Sequence, residues 1–220
     1  MIQAVIFDLD GTLLDRDSSL KSFINTQYDR LLPTLEHINK QDYVKRFIEL
    51  DSRGHVWKDK VYQSLVAEFK IARLTWQDLL HDYESKFSNH CLPFPDLTET
   101  LTLLQQQYRL GIITNGRTVF QLRSIEGLGI KNYFDTILVS EAEQVRKPQP
   151  EIFHVAMSRL KTTPKTSVYI GDNPQADIVG AKNAGLKAIW KRDCFWAKLE
   201  IADAIIDELN EILPIIKQWR

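Results

Sequence analysis

Two aspartates, Asp8 and Asp10, stand directly after a short apolar run, Ala4–Phe7, near the start of the chain. Aspartate carboxylates can attack an electrophilic centre, carry a proton as a general acid or base, and bind a divalent cation. The next residues, Gly11 and Thr12, are typical of a tight turn, because glycine permits a positive φ. A lone acid at a strand end is usually only solvated, so a chemical role depends on which other groups reach the same place.

Polar residues also follow three further apolar runs of the chain. In chain order they are Thr114, Asn115, Gly116, Lys147, Asp172 and Asp177. Ligands of a doubly wound sheet bind beyond the carboxyl ends of the strands, so we expect these groups and the first two aspartates to face one crevice. Carboxylates crowded in one crevice repel each other, and a divalent cation together with Lys147 would balance most of their charge. Oxygen ligands favour Mg²⁺ over zinc or copper.

The apolar runs themselves are typical of buried parallel strands. We predict strands at Ala4–Phe7, Leu110–Ile113, Thr136–Val139, Val168–Ile170 and Lys187–Trp190, with a weaker one at Ala204–Ile206. Amphipathic helical patterns separate most of these runs, and Leu122, Ile125 and Leu128 predict the apolar face of the helix after the second strand. This alternation predicts an α/β fold, a doubly wound parallel sheet covered by helices on both faces.

One long region, from about Ser18 to Cys91, breaks the alternation, because it shows helical patterns and no convincing strand. Its apolar residues form separate stripes with short connections between them, which predicts a small helical bundle. Thr75 followed by Asp78 resembles a capping box at the start of the last of these helices. The region therefore indicates an all-helical domain inserted after the first strand.

These patterns divide the chain into two domains. We predict a Rossmann-like core formed by residues 1–16 and 93–220, and a helical cap formed by residues 17–92. The two linkers, "DRDSS" and "CLPFPD", join the same end of the sheet and should lie side by side. Pro93 and Pro95 would stiffen the second linker and leave the first as the softer one.

Four segments, "DLDGTLLD", "ITNG", Lys147-Pro148 and "GDNPQAD", resemble the signature segments of the haloacid dehalogenase-like hydrolase superfamily. They occur in the family's order and at suitable strand ends, and the resemblance extends over the whole chain, helical cap included. Each segment alone recurs by chance, whereas the four together are specific. The resemblance implies an Mg²⁺-dependent phosphatase that hydrolyses a small phosphorylated metabolite through an aspartyl-phosphate intermediate.

The resemblance also implies a role for each acid. Asp8 is similar to the nucleophile that forms the aspartyl-phosphate. Asp10 is similar to the general acid/base, which protonates the leaving alcohol and later deprotonates water, while its backbone carbonyl binds the metal. Asp172 resembles the direct metal ligand that acts with Asp8. Asp177 resembles a supporting acid bonded to metal-bound water or to Lys147, although an acid in the first turn of a helix is an equally good interpretation.

The remaining signature residues resemble a phosphate site. Thr114 and the backbone N–H of Asn115, with Gly116 beside them, resemble a cradle for the phosphoryl oxygens, where donors stabilise charge in the transition state. Lys147 would pair with Asp8 and with the phosphoryl oxygens. An "NG" turn is also common wherever strands end, so this assignment depends on the whole set of motifs.

The cap contributes one further predicted site residue, Arg53, in the segment "DSRGHVWKDK" between the second and third cap helices. The family resemblance puts a substrate-reading loop at about this place, and Gly54 would give the loop a tight turn. A planar guanidinium suits an anionic or hydroxyl-rich leaving group. In the structural alternative, Trp57 belongs to the bundle core, and Arg53 and Lys58 are ordinary solvated charges.

Two other functions remain open at this stage. A phosphosugar mutase of the β-phosphoglucomutase type shares the same core and cap, and the sequence does not show whether the cap could return the phosphoryl group to a sugar. A non-catalytic binding protein on the same fold is also conceivable, since fold does not imply function. The dehalogenase branch attacks carbon and lacks an acid at the position of Asp10, so an aspartate there indicates phosphoryl transfer.

Composition limits the remaining possibilities. Of the 220 residues, 44% are hydrophobic, enough for a sizeable core, and the formal net charge of -1 favours neither nucleic acid nor an acidic membrane as a partner. The two cysteines, Cys91 and Cys194, lack metal-ligand spacing and predict reduced, mostly buried thiols. Neither a signal peptide nor a membrane span is recognisable, so we expect a soluble cytoplasmic protein. No obligate protein partner is evident.

Overall fold

A computed structural model describes residues 1–196 and 201–219 of the chain. The chain divides into two compact units, one formed by Met1–Asp15 with Pro93–Arg220 and the other by Arg16–Leu92. We call the first the core unit and the second the helical unit.

The core unit is built on a six-stranded sheet in which every neighbouring pair is parallel. The strands are β1 (Ala4–Phe7), β2 (Arg109–Thr114), β3 (Thr136–Val139), β4 (Ser167–Gly171), β5 (Lys187–Lys191) and β6 (Ala204–Ile206). Their order is β3-β2-β1-β4-β5-β6, that of a doubly wound sheet. The predicted α/β fold is confirmed, and each predicted strand is present with bounds that agree to within one residue at either end.

The helical unit holds its apolar stripes in one bundle. Its helices are α1 (Arg16–Arg30), α2 (Leu32–Leu35), α3 (Lys40–Asp51), α4 (Lys58–Glu68) and α5 (Trp76–Lys86), with 3-10 turns at Ser52–Gly54 and Phe87–His90. Aromatic rings fill the bundle, as where Phe23 meets Tyr83 edge-on with ring centroids 5.2 Å apart. The predicted capping box is present, since the Thr75 and Asp78 side chains bond reciprocally to each other's backbone N–H.

The remaining helices cover the sheet of the core unit. They are α6 (Leu97–Gln105), α7 (Thr118–Gly127), α8 (Ser140–Glu143), α9 (Pro150–Leu160), α10 (Gly180–Asn183) and α11 (Ile212–Gln218), with a π-helical segment at Pro174–Val179 and 3-10 turns at Lys131–Tyr133, Pro164–Thr166 and Leu209–Glu211. Side chains of α9 and α10 form one buried cluster with β1 and β4 residues, including Phe153 and Tyr169, whose rings lie 5.0 Å apart. This packing makes the sheet a rigid platform for the residues at its carboxyl edge.

The chain leaves and re-enters the core unit through two adjacent segments. Leu14 forms an antiparallel bridge with Pro93, and the N–H of Phe94 donates to the carbonyl of Leu13 at 3.1 Å. The segment "DRDSS" is not the softer linker that we expected, because Arg16 already begins α1. The four residues that follow Asp15 in this segment are therefore fixed by helical hydrogen bonds rather than left as a strap.

Two expectations from composition can be compared with the structure. Cys91 is half-buried and Cys194 is exposed, so the prediction of mostly buried thiols is wrong for Cys194, which lies in the turn after β5. No helix in the described parts of the chain combines the length and the apolar character that crossing a membrane requires.

Candidate active site

The carboxyl edge of the central strands carries a cluster of buried polar side chains. Asp8 follows β1, and its N–H donates to the carbonyl of Ile170 in β4 at 2.8 Å. Thr114 is the last residue of β2, and Asp172 comes directly after β4. Because β1 lies between β2 and β4, these groups are neighbours across the sheet, at the point where a doubly wound fold binds its ligands.

Lys147 is the centre of this cluster and is only 3% exposed. Its Nζ donates to Asp8 Oδ1 at 2.5 Å, to Asp177 Oδ1 at 2.6 Å and to the hydroxyl of Tyr169 at 2.8 Å. Burial alone would lower the pKa of the Lys147 ammonium, but the carboxylates of Asp177 and Asp8 outweigh burial and raise this pKa. Lys147 is therefore a fixed positive charge beside Asp8.

Three carboxylates meet at this edge with little solvent around them. One oxygen each of Asp8, Asp172 and Asp177 lies within 4.8 Å of the others. The pKa of Asp8 is raised to about 7, mainly by burial. Lys147 lowers this pKa, and the carboxylate of Asp177 raises it further. Burial, followed by Asp8 and Asp177, also raises the pKa of Asp172 well above its usual value. Both shifts come first from burial, and the neighbouring carboxylates add to them.

The same carboxylates fit a divalent cation of the Mg²⁺ type. The donor set consists of oxygen atoms, as hard cations prefer. Two glycines leave room for the side chains of these acids. A Cβ at Gly11 would lie 2.5 Å from Asp172 Oδ2, and a Cβ at Gly171 would collide with Asp177. Gly11 also has a φ of +82°, which side-chain-bearing residues rarely adopt. The backbone at both strand ends is thus shaped around the acids.

Asp177 orients Lys147 through a rigid turn. Its Oδ1 accepts from Lys147 Nζ, and its Oδ2 accepts from the N–H of Asn173 at 2.9 Å. The Asn173 side chain in turn caps the π-helical segment by accepting from the N–H groups of Gln175 and Ala176. Both carboxylate oxygens of Asp177 are therefore engaged, and one of them binds the lysine.

The Asp10 carboxylate lies apart from this three-carboxylate group and is held by Gln121 of α7. The two hydrogens of Gln121 Nε2 are shared among three acceptors: Asp10 Oδ2 at 2.8 Å, Thr114 Oγ1 at 2.7 Å and the carbonyl of Asn115 at 3.1 Å. The predicted apolar face of α7 is confirmed in part: Ile125 is buried and Leu122 and Leu128 are half-buried, but Gln121 and Ser124 are buried as well. Gln121 thus turns inward from α7 and reaches the site.

The "ITNG" segment fixes the backbone of Lys147. The Asn115 side chain donates to the carbonyl of Lys147 at 3.0 Å and accepts from the N–H of Lys147 at 3.0 Å. This reciprocal pair fixes the backbone from which Lys147 reaches the cluster, and the Lys147-Pro148 peptide bond is cis. The N–H of Gly116 donates to Ser140 Oγ at 3.0 Å, which ties the turn to α8.

Arg53 belongs to the helical unit and is not a member of this cluster. It is exposed, its Nη1 lies 3.8 Å from Asp17 Oδ2, and it lines a cleft of about 270 Å³ within the helical unit. The alternative interpretation of Lys58 as an ordinary solvated charge is wrong, because Lys58 is 2% exposed and bonded to the buried Asp51. Asp51 also accepts from Arg16 and from the N–H of Gly54, so it fixes the start of the loop that carries Arg53.

Sequence reasoning missed three residues at this edge: Gln121, Tyr169 and Lys191. Lys191 ends β5, is 5% exposed, and has its Nζ 3.4 Å from the ring centroid of Phe94. Burial lowers the pKa of the Lys191 ammonium, while the nearby Asp172 raises it by a smaller amount. A tyrosine or lysine inside a buried strand could have been noticed as a polar residue in an apolar run. Gln121 is detectable only because it interrupts an apolar helical face.

Comparison with known proteins shows which family the chain resembles. The haloacid dehalogenase-like hydrolase family matches residues 5–191. A glyceraldehyde 3-phosphate phosphatase of Methanothermobacter thermautotrophicus is 32% identical and covers 86% of this chain and 85% of its own. A glyceraldehyde 3-phosphate phosphatase of Pyrococcus furiosus is 28% identical over an alignment that covers 99% of this chain and 94% of the relative. A solved structure of a HAD phosphatase from Thermococcus onnurineus superposes with a TM-score of 0.70 at 29% identity, covering 98% of both chains.

Proposed function

The chain belongs to the haloacid dehalogenase-like hydrolase family, and we propose that within it the protein is an Mg²⁺-dependent phosphatase of small phosphorylated metabolites. The observation that carries this proposal is the pairing of Asp8 with a buried lysine, 2.5 Å away, at the end of the central strand. An attacking carboxylate must be ionised and must approach a negatively charged phosphate, and Lys147 serves both needs. The names of the phosphatase relatives support the same reaction.

In the first step, an oxygen of Asp8 attacks phosphorus and the bond from phosphorus to the leaving alcohol oxygen breaks. Asp10 gives its proton to that oxygen, so the alcohol leaves neutral. Thr114 and the N–H of Asn115 donate to the phosphoryl oxygens, and Lys147 stabilises the charge that they carry. The product of this step is an aspartyl-phosphate on Asp8.

In the second step, Asp10 takes a proton from a water molecule as that water attacks phosphorus. The bond between phosphorus and Asp8 breaks, and inorganic phosphate leaves. Asp8, Asp172 and the backbone carbonyl of Asp10 would hold Mg²⁺, which neutralises charge between the carboxylates and the phosphoryl group when it is bound. Asp177 keeps Lys147 in place through both steps, since it binds the lysine at 2.6 Å.

We assign substrate selection to the helical unit, with Arg53 as the residue that contacts the leaving group. Its guanidinium is exposed beside a cleft of about 270 Å³, and Asp51 fixes the backbone of its loop. The relatives' names make glyceraldehyde 3-phosphate the first substrate to test. Other small phosphate esters complete the test panel.

Two substitutions test the reaction. Asp8→Asn keeps the shape of the side chain but removes the attacking charge, so Mg²⁺-dependent turnover of para-nitrophenyl phosphate and of the panel should disappear. Asp10→Asn should still form the aspartyl-phosphate from para-nitrophenyl phosphate, whose leaving group needs no proton, and should hydrolyse it slowly. Mass spectrometry of quenched protein would detect the added phosphoryl group.

Asp207→Asn is the matched control, because Asp207 is exposed on the core unit. It should retain the turnover of the unchanged protein. Near-normal turnover by Asp8→Asn, or full activity in excess chelator, would refute the proposal. Phosphoryl transfer to an added sugar rather than to water would identify a mutase instead.

A further inference from the structure

We propose that Gln121 is a positioning residue that fixes the proposed general acid/base, Asp10, against the proposed phosphate cradle, Thr114; the inference rests on the proposed function. Gln121 is 2% exposed, and its Nε2 lies within 3.1 Å of Asp10 Oδ2, Thr114 Oγ1 and the carbonyl of Asn115. One amide group thus joins the residue that moves protons to the residues that hold the phosphoryl group.

The orientation of this amide follows from its neighbours. An ionised carboxylate and a backbone carbonyl can only accept hydrogen bonds, so the –NH₂ end of Gln121 must face Asp10 and Asn115. Its Oε1 is buried and has no hydrogen-bond partner among the residues that the structure describes. Leaving a buried acceptor unpaired destabilises the fold, which indicates that the donors of Gln121 are used for something other than stability.

The same geometry prepares Thr114 for its proposed role. Because an amide Nε2 cannot accept, Thr114 Oγ1 can only be the acceptor in its contact with Gln121, and its own hydroxyl hydrogen can point towards a phosphoryl oxygen. In an alternative arrangement, Thr114 would donate to Asp10 and would be lost as a donor to phosphate. Gln121 separates the two side chains and gives each a defined direction.

The geometry has a similar consequence for Asp10. Its Oδ2 is occupied by Gln121 at 2.8 Å, which leaves Oδ1 to exchange protons with the leaving alcohol and then with water. A half-buried carboxylate without this bond could rotate away from the substrate. Misplacing a catalytic group by about 1 Å costs on the order of 100-fold in rate, so the loss of this bond should slow the proton-transfer steps.

Gln121→Met tests this role, because methionine has a similar length and volume but no donor. With an alkyl phosphate such as glyceraldehyde 3-phosphate, we expect kcat to fall about 100-fold, with KM nearly unchanged. With para-nitrophenyl phosphate, the burst that reports phosphorylation of Asp8 should keep its rate, and the following hydrolysis should slow. Gln121→Glu, which has the same shape and only acceptors, should lose at least as much activity.

A double substitution separates positioning from a general structural effect. If Gln121 acts through Asp10, adding Gln121→Met to Asp10→Asn should change hydrolysis of the intermediate by less than about 3-fold. Gln107→Leu is the matched control, since Gln107 is an exposed glutamine on the core unit, and it should behave like the unchanged protein. Melting temperatures of all variants establish that they are folded.

The outcomes distinguish this inference from the proposed function. Full activity in Gln121→Met, equal losses in both steps with both substrates, or losses that multiply in the double variant would overturn the inference and leave the phosphatase intact. A variant that does not fold would assign Gln121 a structural role and would likewise overturn it. No turnover by the unchanged protein, or no effect of Asp10→Asn, would overturn the proposed function and the inference with it.

Discussion

Replacing Asp172 with asparagine should abolish activity and, in excess chelator, make the core unit more stable. Asp172 lies with Asp8 and Asp177 in a group whose oxygens are within 4.8 Å of one another. Lys147 donates to the other two carboxylates, at 2.5 Å and 2.6 Å, rather than to Asp172. A buried charge arranged for a cation destabilises the protein when that cation is removed, so neutralising it should be favourable.

The expected gain can be worked from these distances. Two unit charges 4.8 Å apart repel each other by about 3.5 kcal/mol at an effective dielectric constant of about 20. Lys147 offsets part of this repulsion, and protonation relieves another part, since burial raises the pKa of Asp172. We therefore expect Asp172→Asn to stabilise the core unit by about 1–2 kcal/mol near neutral pH, which corresponds to about 2–8 °C in melting temperature.

The pH dependence has a defined sign. The pKa of Asp172 is raised in the folded protein, so the folded state binds more protons than the unfolded state. In chelator, stability should fall as pH rises from about 4, the unfolded-state pKa, through the raised value. The difference between Asp172→Asn and the unchanged protein should therefore grow with pH across this window.

Differential scanning calorimetry in chelator and in excess Mg²⁺ provides the assay. At 100 times its Kd, Mg²⁺ should increase the free energy of unfolding of the unchanged protein and of the control Asp207→Asn by about 2.7 kcal/mol and so raise their melting temperatures. The melting temperature of Asp172→Asn should not change. An Asp172→Asn variant that is less stable in chelator at alkaline pH, or that keeps the full Mg²⁺ shift, would show that the acid cluster is not a cation site.

Two further predictions concern the helical unit. Arg53→Ala should impair turnover of the true substrate far more than turnover of para-nitrophenyl phosphate, because the small leaving group of the latter needs no contact with Arg53. The control Arg73→Ala, at another exposed arginine, should have no effect. Equal losses on both substrates would contradict the role of Arg53. Asp51→Asn should destabilise the helical unit by about 3 kcal/mol at neutral pH, because it breaks a buried pair with Lys58. Burial raises the pKa of Asp51, but Lys58 and Arg16 outweigh it and lower this pKa, so the difference should begin to shrink below about pH 4, the unfolded-state value, and should vanish only as the pH falls through the lowered value. Urea unfolding followed by circular dichroism measures it, and a difference that does not change with pH would refute the ion-pair explanation.

The strands were predictable because burial on both faces leaves a continuous apolar run in the sequence. Every residue of β1 and of β4 is buried, and both appear as short apolar segments bounded by polar residues. The start of α1 was not predictable in the same way. "DRDSS" has the composition of a linker, whereas in the structure the helix already begins at Arg16, whose guanidinium pairs with Asp51.

The candidate site was predictable to the extent that its members stand at strand ends. Asp8, Thr114 and Asp172 each follow or end a strand, so the topology of the sheet brings them together whatever their side chains do. Gln121 and Tyr169 reach the site through tertiary contacts from inside a helix and a strand. The side-chain contacts that orient Asp10 and Lys147 depend on which residues those elements turn inward, and the sequence pattern of α7 indicated Ile125 but not Gln121.

The first two aspartates bind partners of different charge, which the sequence motif alone does not show. Asp8 and Asp10 are two residues apart, yet Asp8 binds the Lys147 ammonium at 2.5 Å and Asp10 binds the Gln121 amide at 2.8 Å. A carboxylate nucleophile must be ionised when it attacks, and a full positive charge beside it favours that state. A general acid/base must gain and lose a proton in every cycle. Because the amide of Gln121 is neutral, proton transfer at Asp10 would not have to break an ion pair, so the charge of each partner supports the two roles that we propose for Asp8 and Asp10.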